Sequence, residues 1–153
     1  MPKYIHTDYN PLVTFDEEHG WFYEVKPGSP DEVLDFAPSC WFSLREFRCP
    51  CCQAVIVSSK LINKLTLLRE ELQFQVTISS GYRCEAKNTA VGGVPNSQHL
   101  KGTAVDIPKY TQDVVVVRTM RAALERRFAQ GGMGEYSGHF HVDVRGFRAR
   151  WRK

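Results

Sequence analysis

The stretch H-F-H-V-D at 139–143 restricts the fold of this chain more than any other segment. Alternate side chains of a strand share a face, so His139, His141 and Asp143 project together while Phe140 and Val142 project the other way. Such a strand needs an apolar layer on one side and a task for two imidazoles and a carboxylate on the other. A lone histidine is commonly a satisfied surface or core residue, but two on one strand face with an acid are poorly explained by packing. Upstream, S-Q-H-L-K-G-T-A-V-D at 97–106 sets His99 and Asp106 seven positions apart with Gly102 between them. A turn at Gly102 leaves His99 in a loop and Asp106 on the strand that follows, so both can converge on one ion. Three nitrogen and oxygen ligands with an open position make the pattern of a catalytic zinc site, whereas structural sites are closed by four.

The rest of the chain supplies a scaffold of mixed elements. Ser43 with Glu46 reads as a capping box, S-L-R-E, opening a short helix. Apolar residues at 61, 62, 65, 68 and 72 predict an amphipathic helix over 59–72. The alternation at 74, 76 and 78 predicts a strand, followed by the turn-like S-G-Y-R at 80–83. Residues 85–98 read as loop, 103–107 as a strand, 112–129 as a second long helix closed near Gly131–Gly132, and 139–144 as the last strand. The V-V-V-V run at 114–117 leaves the start of that second helix ambiguous. Residues 1–38, punctuated by K-P-G-S-P, read as an irregular N-terminal extension with one short strand at 20–26, and residues 39–153 as the main domain. Strands and helices without regular alternation give an α+β class, with a small antiparallel sheet packed on helices and carrying the metal site.

The bulk properties exclude several classes. A net charge of +3 on 153 residues argues against nucleic acid as the partner. The basic tail R-G-F-R-A-R-W-R-K is expected to be a solvated terminus rather than a phosphate-binding arm. There is no apolar run of membrane-spanning length and no secretory pattern at the start, so synthesis in the cytoplasm and no membrane association are expected. A monomer is expected.

The five cysteines are Cys40, Cys49, Cys51, Cys52 and Cys84. Their odd number argues against a disulfide framework. Either the cluster at 49–52 holds a structural metal together with Cys84 or Cys40, or these are reduced thiols at a turn. The second reading is preferred, because C-x-C-C is not a standard zinc-knuckle spacing.

The motif S-x-H-x-x-G-x-A-x-D, from Ser97 to Asp106, resembles the first metal motif of the zinc D-Ala-D-Ala carboxypeptidase family. That family includes D-Ala-D-Ala dipeptidases and phage L-alanoyl-D-glutamate endopeptidases, and it shares its fold with the Hedgehog signalling domain. S-G-Y-R at 80–83 and H-x-H at 139–141 resemble its later motifs, in the family's order, over about residues 43–151. The resemblance implies a zinc peptidase acting on bacterial peptidoglycan, with Zn2+ held by His99, Asp106 and His141. It implies that Arg83 binds a substrate carboxylate or polarises the scissile carbonyl, and that Ser97 and Tyr82 help hold substrate. His139 is expected to steady the oxyanion. Glu135, six positions before His141, is the expected general base. Asp143 is its rival, or else an acceptor that orients a zinc-bound imidazole. A chain without a signal fits a phage lysin released onto the wall, a virion-associated hydrolase or a host carboxypeptidase. A non-catalytic zinc-bearing binding module of the same fold is the alternative.

Overall fold

A computed structural model describes residues 12–17 and 20–153. The remainder of the expected N-terminal extension lies outside the described residues. Strands β1 (Leu12–Asp16) and β2 (Gly20–Val25) form an antiparallel hairpin, and β2 pairs on its other edge with β3 (Val55–Ser58). A single helical turn, α1 (Asp31–Leu34), buries Val33 and Leu34 in the same apolar cluster as the rest of the core. The strand expected at 20–26 is β2, and the described residues expected to be irregular also include strand β1 and a helical turn.

The capping box at Ser43 opens a 3-10 turn, Leu44–Phe47, in which the Ser43 backbone N–H donates to Glu46 Oε2 at 2.8 Å. Helix α2 (Ser59–Leu72) starts where Ser58 Oγ accepts from the Leu61 N–H, and it buries Leu61, Ile62, Leu65 and Leu68. Helix α4 (Val114–Arg127) resolves the valine run as helix. Asp113 Oδ1 accepts from the Val115 and Val116 N–H groups, and this cap outweighs the modest helical penalty of β-branched residues. The two helices pack together, and Lys64 Nζ donates to the Arg127 carbonyl at 2.9 Å. Among the described residues no helix is long and apolar enough to cross a membrane.

The second sheet carries the polar strand face. Its order is β4-β6-β5-β7, built from β4 (Ala104–Pro108), β5 (Gly132–Glu135), β6 (His139–Asp143) and β7 (Ala149–Arg152). The β4–β6 and β6–β5 ladders are antiparallel, and β7 adds to β5 in parallel. Val105, Ile107, Met133, Phe140 and Val142 form its inner face in the core.

Three local expectations are corrected. Residues 74–78 are not a strand. Val76 is buried as its alternation requires, but the Thr77 N–H donates to Tyr110 Oη and the Val76 carbonyl accepts from Arg69 Nη1. Side chains have taken the groups a ladder would use, and pairing with β4 survives only at the Ser80–Asp106 bridge. Within 85–98, Glu85–Ala90 forms a helix, α3, followed by a turn at Gly92 (φ +72°). Part of the basic tail is strand β7 rather than a solvated end.

Candidate metal centre

Cross-strand partners in an antiparallel ladder point to the same side of the sheet. Asp106 is opposite His141, and His141 is opposite Gly134. The outer face therefore presents Asp106, His139, His141 and Asp143, with Trp151 of β7 standing over Gly134. A Cβ at Gly134 would collide with the Trp151 indole, so glycine is what lets the ring lie there, 5.2 Å from the His141 ring.

His99 reaches this face from a 3-10 turn, Gln98–Lys101, that precedes β4. Ser97 caps that turn, its Oγ accepting from the His99 N–H. Gly102 ends it at φ +70°, with its backbone so close to the Ile56 carbonyl that no side chain fits. The Gly102 carbonyl in turn accepts from the Ser58 N–H at 2.9 Å, fixing the turn to β3.

The three donor atoms form an equilateral triangle. His99 Nε2 to Asp106 Oδ1, His141 Nδ1 to Asp106 Oδ1 and His141 Nδ1 to His99 Nε2 are each 3.2 Å. Ligands about 2.0 Å from a tetrahedral zinc are separated by about 3.3 Å, so the triangle has the size of one tetrahedral face. All three residues are buried. Each imidazole has its other nitrogen engaged: His99 Nδ1 lies 2.8 Å from the Gly81 carbonyl and His141 Nε2 lies 2.8 Å from Asp143 Oδ2. These acceptors set the tautomers so that lone pairs converge on the triangle. Two ring nitrogens and a carboxylate oxygen held this close could share one cation, and the donor set suits zinc.

Electrostatics supports an ionised Asp106. Burial pushes its carboxyl up, but in the ion-free site the two imidazoles, when protonated toward it, outweigh this and hold it well below the usual carboxylate range; with those protons gone, a bound cation takes their place. Its second oxygen, Oδ2, accepts from Arg83 Nη2 at 2.8 Å, while Arg83 Nε donates to Ser80 Oγ. His139 stacks on Tyr136 with ring centroids 4.4 Å apart, and burial favours its neutral form.

Several predicted site residues stand elsewhere. Glu135 is opposite Phe140, so it projects from the inner face of the sheet, away from the triad. Arg121, Lys109 and Arg152 surround its carboxylate. Arg121 above all, with Lys109, lowers its pKa to about 2 against burial. Its expected role as general base is corrected by this register: the side chain is on the wrong side of the strand and its oxygens are occupied.

Asp143 is fully buried behind His141. Its oxygens accept from His141 Nε2, from the Gly132 N–H and from the Arg145 backbone and guanidinium. It orients an imidazole and has no path to the open side. Ser97 caps a turn. Tyr82 lies toward the cysteines, where burial and the Cys52 and Cys84 thiols push its phenol up.

Sequence reasoning did not single out Trp151, Tyr136, Gly81 or Arg145 as parts of this site. Arg145 sits 5.3 Å from the Trp151 ring while binding Asp143. The available signals were the S-G-Y-R motif for Gly81 and the alternation of Arg and aromatic residues in the tail for Arg145 and Trp151.

A search of curated proteins finds no match to this chain. The profile of the family described as Peptidase M15, a family of metallopeptidases, matches residues 41–143, which includes all three triangle residues and Arg83. On that match over most of its length, with the metal triangle in place, the chain belongs to the peptidase M15 family.

Proposed function

We propose that this protein is a zinc-dependent peptidase that hydrolyses peptide bonds in the peptide of bacterial peptidoglycan, with His99, Asp106 and His141 as the zinc ligands. The observation that carries the reading is the 3.2 Å triangle of lone-pair donors with both imidazole tautomers fixed from behind. When bound, zinc supplies a Lewis acid that polarises the scissile carbonyl and acidifies water. Arg83 holds Asp106 to one oxygen for the metal and brings positive charge to the substrate side. His139, neutral and stacked on Tyr136, is the group that takes a proton at a ring nitrogen and returns it to the leaving amine. Trp151 forms an apolar wall beside His141 for the substrate.

The test is mass spectrometry of defined muropeptides digested with and without a chelator. Cleavage that chelation abolishes and zinc restores is expected. His139→Ala is expected to lower kcat/KM by about 10²–10⁴-fold while zinc stays bound. A second reading, a zinc-bearing binding module, is favoured by one observation: neither Glu135 nor Asp143 offers a carboxylate to the open side. Absence of cleavage of every peptidoglycan fragment by zinc-loaded protein, together with binding of muropeptides, would establish that reading instead.

A further inference from the structure

Away from the triad, cysteines from two distant segments meet. The sulfurs of Cys49, Cys52 and Cys84 all lie within 4.8 Å of one another, and those of Cys49 and Cys84 are 3.7 Å apart. All are free thiols. Thiolates about 2.3 Å from a tetrahedral zinc are separated by about 3.8 Å, so the Cys49–Cys84 spacing fits an edge of such a site.

The backbone is built around the Cys49 sulfur. Cys49-Pro50-Cys51-Cys52 is a C-x-x-C turn, the spacing that the C-x-C-C reading overlooked. The turn closes with the Gln53 N–H donating to the Cys49 carbonyl at 2.9 Å, and the Cys49 N–H donating to the Ala54 carbonyl at 2.8 Å. Gln53 takes the left-handed conformation, φ +66°, which is uncommon for a residue other than glycine. The Cys84 N–H points at the Cys49 sulfur at 3.4 Å, joined by those of Cys51 and Cys52.

We propose that Cys49, Cys52 and Cys84 hold a second, structural zinc-class divalent cation. Binding displaces the thiol protons to solvent, and no electrons move. The ion ties residues 49–52 to the segment that carries the triad's support. Cys84 follows Arg83, and the Gly81 carbonyl anchors His99. The Tyr82 N–H donates to the Phe47 carbonyl, and Gly81 packs so closely on the Phe47 backbone that no Cβ fits. The second ion is therefore a staple for the loop that positions Arg83, and it rests on the thiols alone, independent of the peptidase reading.

The test is metal content per chain by inductively coupled plasma mass spectrometry, on full-length protein purified under reducing conditions. Two zinc ions per chain are expected. Cys52→Ser and Cys84→Ser should each leave one, His99→Ala should leave the other, and Cys40→Ser should leave both. Cobalt-substituted protein should show thiolate-to-metal charge-transfer absorption that survives His99→Ala and is lost in Cys52→Ser. Should a cysteine variant not fold, titration of the unaltered protein with a mercurial should release zinc in step with thiol modification. One metal per chain that no cysteine change or mercurial removes would overturn the proposal. So would iron with inorganic sulfide at the thiols, or a Cys49–Cys84 disulfide in the intact mass.

Discussion

Replacing Glu135 by Gln separates the register-based assignment of this residue from the assignment made on sequence spacing. The carboxylate is only 13% exposed and compensates Arg121, Lys109 and Arg152. Lys109, 10% exposed, keeps a hydrogen bond to the Tyr136 carbonyl at 2.7 Å but loses its anion. Removing one partner of a fully buried pair costs about 3–5 kcal/mol, and the exposed arms of Arg121 and Arg152 reduce this to about 2–3 kcal/mol. For a chain of this size that is a fall in Tm of about 5–10 °C. A lost general base costs about 10²–10⁴-fold in rate, whereas a residue behind the sheet should change kcat/KM less than about threefold at a temperature where the variant is folded. The assays are calorimetry and muropeptide turnover on the same zinc-loaded preparation. A folded, zinc-replete Glu135→Gln protein that has lost activity a hundredfold, with Tm unchanged, would refute the placement of this side chain.

Asp143→Asn removes the charged acceptor behind His141 and leaves Arg145 without its anion. Zinc affinity measured by chelator competition is expected to fall about 10–100-fold, and an unchanged affinity would show that His141 is oriented by something else. Acid unfolding should be less steep in Glu135→Gln than in the parent. The folded pKa of Glu135 is depressed to about 2, so its contribution is present above the unfolded value of 4.5 and is lost as pH falls from there toward 2. Stability curves by circular dichroism at a series of pH values check the sign. Stripping metal with a chelator should lower Tm, and returning zinc should raise it in proportion to the logarithm of free zinc, because the ion binds the folded triangle and not the open chain. A Tm indifferent to zinc would contradict a preformed site.

The polar face of β6 was legible because a period of two needs no tertiary information, and the same alternation assigns Phe140 and Val142 to the core. Helices α2 and α4 were legible from their apolar periodicity, although the valine run needed the Asp113 cap to decide it. Glu135 was misjudged because counting positions back from His141 ignores the turn between β5 and β6, and that turn sets which face the residue takes. Residues 74–78 alternate correctly, yet Tyr110 and Arg69, distant in sequence or on another element, take their backbone groups. Strand β7 was missed for a related reason. A basic, aromatic tail has no strand signal until β5 is there to pair with, and Gly134 carries no side chain to announce that Trp151 will cover it.

The His99–Asp106–His141 triangle also sorts metals by the kind and number of its donors. Calcium takes six to eight oxygen ligands, so two ring nitrogens and one carboxylate oxygen supply neither the donor type nor the donor number it needs. Exchanging an imidazole for another ligand means pulling His99 off the Gly81 carbonyl or His141 off Asp143, and each move leaves a buried polar group without its partner. Selection against the abundant hard cations is thus built into the kind and number of donors, and the Gly81 carbonyl and Asp143 carboxylate behind the imidazoles keep that set in place.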